Sequence, residues 1–150
     1  MTEDRPDTPA ELRARALRLL ARREHSRREL SRKLAAHAES GEALEQLLDA
    51  LEAKKQLSDE RFAAERTRVL SRKYGAARIR QDLKARGVTE AAVPELSAED
   101  EKARARAILD RKYREPATTR EERAKRMRFL QSRGFSTEII FSLLSARDDD

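Results

Sequence analysis

Apolar residues along this chain recur three or four positions apart: Leu12, Ala16, Leu19; Leu30, Leu34; Leu44, Leu47, Leu48, Leu51; Phe62, Val69, Leu70. The spacing continues through Ile79, Leu83; Val93, Leu96; Ala105, Ile108, Leu109; Met127, Leu130; and Ile140, Leu143, Leu144. It places one apolar stripe on each of a series of short helices, and no stretch alternates with the period of two that a half-buried strand requires. The punctuation between stripes agrees. Thr8-Pro9-Ala10-Glu11, Ser26-Arg27-Arg28-Glu29 and Thr119-Arg120-Glu121-Glu122 read as capping boxes, in which a hydroxyl takes a free N–H and the acid three residues on reaches back. Ser97-Ala98-Glu99-Asp100 uses a shorter acid for the same purpose, and Ser40, Ser58, Thr89 and Ser136 are weaker caps. Gly87 and Gly134 are placed as helix stops. The pattern predicts about nine short helices joined by tight turns.

These helices fall into copies of one unit. Ile79, Leu83, Gly87 and Val88 match Arg126, Leu130, Gly134 and Phe135 at an offset of 47, and Leu30 and Leu34 match Ile79 and Leu83 at an offset of 49. Ala38 stands where the other copies have glycine, so the first copy must leave its second helix differently. The predicted fold is all-α, with three tandem three-helix-bundle repeats. A bundle of under ~50 residues is marginal alone, so neighbours should pack on each other in an elongated, curved rod. The expected boundaries are a mobile N-terminus over 1–7, repeats over 8–57, 58–96 and 97–146, and an acidic tail over 147–150.

Composition narrows the function. Apolar residues make up 38% against 41% charged, too little for one deep core. The 34 basic and 28 acidic residues leave a charge of +6, which suits a polyanionic partner. Zero cysteines exclude a disulfide scaffold and a thiolate zinc site, and no apolar stretch approaches the ~20 residues that span a bilayer. A soluble, cytoplasmic protein without membrane contact is expected. His25 and His37 are twelve apart with no cysteine, so they make no local metal pair and read as surface or capping residues. Four isolated glycines form no phosphate-cradling loop. No catalytic residue, cofactor, metal or small-molecule substrate is therefore expected, and the protein should act by binding, as a monomer.

The binding surface is sought where basic charge segregates. Arg22, Arg23, Arg27, Arg28, Arg32 and Lys33 form one run, and Arg61, Arg66, Arg68, Arg72, Lys73, Arg78, Arg80, Lys84 and Arg86, opposed by only Glu65 and Asp82, a second. Arg111 and Lys112 belong to a third, and acidic stretches over 42–49 and 95–101 separate the runs. Arginine grips phosphate bidentately, and each neutralised phosphate releases counterions. The competing account is that such arginines solvate their helices and pair with nearby Glu. Arg72-Lys73-Tyr74-Gly75 and Arg111-Lys112-Tyr113 recur at the end of a first helix. Tyr74 there either stacks on an exposed base or, the favoured reading, closes the corner of its bundle. Phe62, Phe129, Phe135 and Phe141 are expected in the core.

The residues so assembled resemble the RecX family, bacterial regulators of the recombinase RecA. The resemblance rests on Ala16-Leu17-Arg18-Leu19-Leu20, His25-Ser26, Glu29-Leu30, Lys33-Leu34 and Leu57-Ser58-Asp59-Glu60-Arg61-Phe62. It continues through Arg72-Lys73-Tyr74-Gly75, Ala77-Arg78-Ile79, Leu83, Gly87-Val88, Arg111-Lys112-Tyr113 and Phe129-Leu130-Gln131-Ser132-Arg133-Gly134-Phe135. What it implies is three tandem three-helix repeats that engage RecA filaments on single-stranded DNA. It further implies inhibition of filament growth, ATP hydrolysis, strand exchange and co-protease activity, and so a damped DNA-damage response. Arg72, Lys73, Arg78, Arg111 and Lys112 are the matching basic positions. An acid-rich closing helix in the first repeat and Arg114 in place of a glycine after Tyr113 depart from the pattern. The alternative from the residues alone is a helix-turn-helix-like DNA-binding module that works in the major groove without RecA.

Overall fold

The computed structural model describes residues 5–145; the expected acidic tail lies outside the described residues. The helices in chain order are α1 (Pro9–Arg22), α2 (Arg27–Leu34), α3 (Gly41–Ala53), α4 (Asp59–Leu70), α5 (Ala76–Ala85), α6 (Ala98–Lys112), α7 (Arg120–Ser132) and α8 (Thr137–Ser145). A single 3-10 turn, Glu90–Ala92, lies between α5 and α6, and no strand occurs among the described residues. The fold is all-α.

Local chemistry sets the helix starts. Thr8 with Glu11 and Ser26 with Glu29 form complete reciprocal capping boxes. Ser40, Ser97 and Thr119 each accept the N–H three residues on, as do Ser58 and Ser136. At α7 the Thr119 hydroxyl accepts the Glu122 N–H, and the Glu122 carboxylate accepts the Thr118 N–H at 2.8 Å. α5 has no hydroxyl cap of its own, and its Ala76 N–H is taken by the Glu101 carboxylate of α6 at 3.1 Å.

The stops follow as directly. At Gly87 and Gly134 the backbone turns left-handed, with φ of +86° and +89°, and the next N–H returns to Leu83 and Leu130 respectively. α2 ends without such a turn, as Ala38 requires: Ala35 stays right-handed and the chain continues through His37. The first repeat makes its left-handed turn later, at Lys55, φ +60°.

One expected helix is absent. The closing helix of the second repeat is reduced to the 3-10 turn, with Val93 extended at ψ 130° and Thr89 making no side-chain cap. Pro94 is the cause, because its ring excludes the helical conformation from the residue before it. Near the N-terminus Asp7 gives its N–H to the His37 carbonyl and pairs with Arg15, and Arg5 pairs with Glu11.

The chain forms two compact units: one of the chain up to Glu65 with Leu83–Val93, the other of Arg66–Asp82 with the chain from Pro94 on. These divisions pass through α4 and α5, so a compact unit is not a sequence repeat. In the first unit Leu12 and Ala16 of α1, Leu30 and Leu34 of α2, and Leu44, Leu48 and Leu51 of α3 close one core with Leu57. In the second, Ala105, Ile108 and Leu109 of α6 meet Leu130 of α7 and Phe135, Ile139, Ile140 and Leu143. Each fully buried Leu or Ile contributes about 1.5–3 kcal/mol, so two small cores suffice where one large one could not be built. Phe62 and Phe135 are core residues, whereas Phe141 is 52% exposed and Phe129 only half buried.

Candidate nucleic-acid interface

In the second unit α4 ends in a tight turn that leaves the Arg72 and Lys73 carbonyls unused by the helix. Arg111 Nη2 donates to the Arg72 carbonyl at 2.7 Å, and Arg133 Nη1 lies 3.5 Å from that of Lys73. The two arginines come from α6 and from the end of α7, and they cap a helix C-terminus whose dipole favours cations. Around them opens a concavity of about 470 Å³ lined by Arg72, Lys73, Ile108, Arg111, Lys112, Phe129 and Arg133. Five cations and, among the described residues, no carboxylate line it.

Such crowding costs energy unless something other than an anion offsets it. Aromatic faces do so here. Lys112 Nζ sits 4.5 Å from the Phe129 ring centre, and the Arg133 guanidinium lies 5.1 Å from Phe129 and 5.8 Å from Tyr74. Arg78 covers Tyr74 at 4.3 Å, Lys112 also lies 5.9 Å from Tyr113, and Arg126 covers Tyr113 at 4.5 Å. Tyr113 packs edge-on against Phe129 with centres 6.1 Å apart. Cations and rings thus alternate in one column, each contact worth about 0.5–1 kcal/mol where exposed. A π face attracts a cation without cancelling its charge, so the concavity stays positive.

A backbone joint holds the two sides of this surface. The Gly75 N–H donates to the Arg133 carbonyl at 2.7 Å, and Arg78 Nη1 to the Ser132 carbonyl at 2.9 Å. A Cβ added at Gly75 would lie 2.5 Å from the Gly134 oxygen, and one at Gly134 would lie 2.5 Å from Arg78 Cβ. Only glycine permits that approach.

The first unit builds a parallel joint with different chemistry. The Ser26 hydroxyl donates to the Arg86 carbonyl at 2.8 Å, the Arg27 N–H to Asp59 at 2.8 Å, and the Arg28 side chain lies against Gly87. Here acids answer the arginines. Arg27 contacts Glu45, Asp49 and Glu52 of α3 at 2.6, 2.8 and 3.1 Å. Burial works against its charge, but these three carboxylates outweigh burial and raise its pKa. Glu29 binds both Arg23 and Arg86, and Glu24 binds Arg61. Arg27, expected on the contact surface, is therefore neutralised within its own unit.

The other expected contacts divide similarly. Lys33 is held 2.9 Å from His25 Nε2. An ammonium has only donors, so that nitrogen accepts and Nδ1–H donates to the Arg23 carbonyl at 3.0 Å. His25 is thus a buried neutral imidazole, not a surface one, and burial is the main cause of its lowered pKa. Arg32, Arg80 and Lys84 are exposed. Arg78 and Tyr74 belong to the joint beside the concavity and not to its lining. Arg72, Lys73, Arg111 and Lys112 are brought together across 39 residues of sequence. Arg133 and Phe129 stood in the motif that carries the resemblance but were not expected as contacts, Phe129 being read as core; the signal for Arg133 was its position immediately before a helix-stop glycine. Among the described residues no three His, Asp or Glu converge as a metal set, and no helix is long and apolar enough to cross a membrane.

Comparison with known proteins decides the family. Models of the first, second and third three-helix domains of RecX match residues 13–51, 58–95 and 99–144. The chain belongs to the RecX family. It is 43% identical to the regulatory protein RecX of Ralstonia nicotianae over 95% of this chain and 92% of that one. It is 45% identical to the RecX of Herbaspirillum seropedicae over 90% of each chain. The crystal structure of RecX from Lactobacillus salivarius covers both chains fully with a TM-score of 0.82 at 17% identity, a likeness of fold. The RecX domain ranges give the second domain its 3-10 turn in the place of a third α-helix.

Proposed function

We propose that this RecX-family protein is a negative regulator of RecA. It binds RecA filaments on single-stranded DNA and inhibits their growth, ATPase, strand exchange and co-protease activity, thereby modulating recombination and the SOS response. It works in the cytoplasm, as a monomer, by binding and not by catalysis. The observation that carries this reading is the concavity: five cations with no lining carboxylate among the described residues, in a chain of a regulatory family. Phosphates of the strand, or acidic groups of the filament, complete that charge. A ligand shifts a polymer toward an inactive state only by binding that state more tightly, so the surface must discriminate between filament conformations.

The test is RecA's DNA-dependent ATPase with the protein titrated in. Wild type lowers turnover, while joint replacement of Arg72, Lys73, Arg111 and Lys112 by Glu weakens filament binding on the order of a hundredfold and flattens its salt dependence. Unchanged turnover together with no co-sedimentation on filaments rejects the reading. Sequence-selective binding to duplex DNA without RecA points instead to the major-groove alternative.

A further inference from the structure

We infer that Tyr74 and Arg78 are positioning residues, which hold the cations of the concavity in register without themselves contacting its ligand. The inference rests on the proposed binding function and assigns roles within that surface. Both residues were candidate contacts by their place in a basic motif, yet neither lines the concavity. Tyr74 instead receives two guanidiniums, Arg78 at 4.3 Å and Arg133 at 5.8 Å. Arg78 is fixed in turn by the Ser132 carbonyl, one residue before Arg133. Arg133 then lies near the Lys73 carbonyl and beside Phe129, whose ring also carries Lys112. At the far end of the column Arg126, 7% exposed, donates to the Glu115 carbonyl at 2.7 Å.

The column therefore has two kinds of cation. The end members, Arg78 and Arg126, each give one donor to a backbone carbonyl and lie outside the lining. The middle members, Arg133 and Lys112, line the concavity. A long cationic side chain left to itself samples many rotamers, and ordering several at once weakens binding. Rings that order them beforehand remove that loss. Removing the Tyr74 ring should release Arg133, and with it the grip on the end of α4 that carries Arg72 and Lys73.

A neutral substitution tests this. Binding to RecA assembled on labelled oligo(dT) is measured across a salt series for wild type, Tyr74→Leu and Tyr74→Phe, with helical content checked by circular dichroism. Neither variant changes charge, so a direct electrostatic contact predicts no change in slope. Positioning predicts that Tyr74→Leu lowers the log-log salt slope by about 1.4 or more, two strand phosphates at ~0.7 each, and that Tyr74→Phe retains it. Arg78→Met serves if Tyr74→Leu loses its fold, and should also lower the slope by more than the ~0.7 of one lost contact. Affinity that drops equally at every salt concentration makes Tyr74 a base-stacking contact and overturns the inference, as does an unchanged slope. Wild type that binds without salt dependence overturns the functional reading beneath it.

Discussion

The joint at Ser26 in the first unit and the joint at Gly75 in the second solve one docking problem with two chemistries. In each, an acid from the next repeat's first helix caps a second helix: Asp59 takes the Arg27 N–H and Glu101 takes that of Ala76. In each, the start of that helix donates to the carbonyl before a left-handed glycine, Arg86 or Arg133. The surroundings differ. Around Ser26, Glu24, Glu29 and the three acids of α3 answer Arg61, Arg23, Arg86 and Arg27. Around Gly75 the cations meet rings and carbonyls. Carboxylates cancel charge and π faces do not, so one arrangement makes a charge-compensated packing joint and the other a positive surface. A basic run in sequence is thus a poor guide to positive potential until its partners are known.

The comparison breaks most sharply at the glycines. Gly134→Ala meets both the left-handed φ and the backbone of Arg78, and is expected to cost about 3 kcal/mol, a fall of roughly 6–12 °C in melting temperature. Gly87→Ala meets the same φ and the Arg28 side chain, whose Cδ at 2.6 Å can swing aside but whose Cβ at 2.7 Å cannot, so about 2 kcal/mol is expected. Equal losses would show that side-chain yielding does not distinguish the joints.

Next comes Arg27→Ala, which leaves three carboxylates of α3 facing one another. Its expected cost is about 1 kcal/mol by denaturant unfolding, because the ions are partly exposed, with no change in the salt slope of filament binding. A flattened slope would return Arg27 to the contact surface.

The smallest effect is the dependence on pH. His25 is held neutral by burial, so the unfolded chain takes up a proton first as pH falls. The stability this imidazole contributes is complete above the unfolded value of about 6.5 and is lost as pH falls through the lower folded value. For Glu29, burial opposes ionisation but hydrogen bonds from Arg23 and the Ser26 N–H, with the charge of Arg86, outweigh it and lower its pKa. Its contribution is present above the ordinary carboxylate range and disappears below it. Denaturant midpoints from pH 7 to 5 should therefore fall for wild type and fall less for His25→Gln, provided both unfold in one transition. Parallel profiles would exclude His25 as the cause.

Much of the fold was legible because its instructions are local. Ser26 with Glu29, Thr8 with Glu11 and the stops at Gly87 and Gly134 act within one turn, and each lies where its pattern placed it. The misreading at Val93 was also local, since the stripe was weighed above the Pro94 that forbids its helix. Phe141 was misplaced because periodicity tells which face a residue occupies but not whether anything covers it, whereas Phe129 does pack against the second core. The concavity was half legible: the repeated Arg-Lys-Tyr motif named four of its cations, while Arg133 and Phe129 entered only through the end of α7.

The order of residues by itself determined helical identity, helix ends, the repetition of one unit and the excess of positive charge. These depend on hydrogen bonds and steric limits that reach three or four residues. Tertiary structure alone decided where that charge remains effective. Arg27 finds its acids eighteen or more positions away and Arg111 its carbonyl thirty-nine away. Electrostatic potential sums over neighbours in space, and no spacing along the chain encodes which neighbours those are.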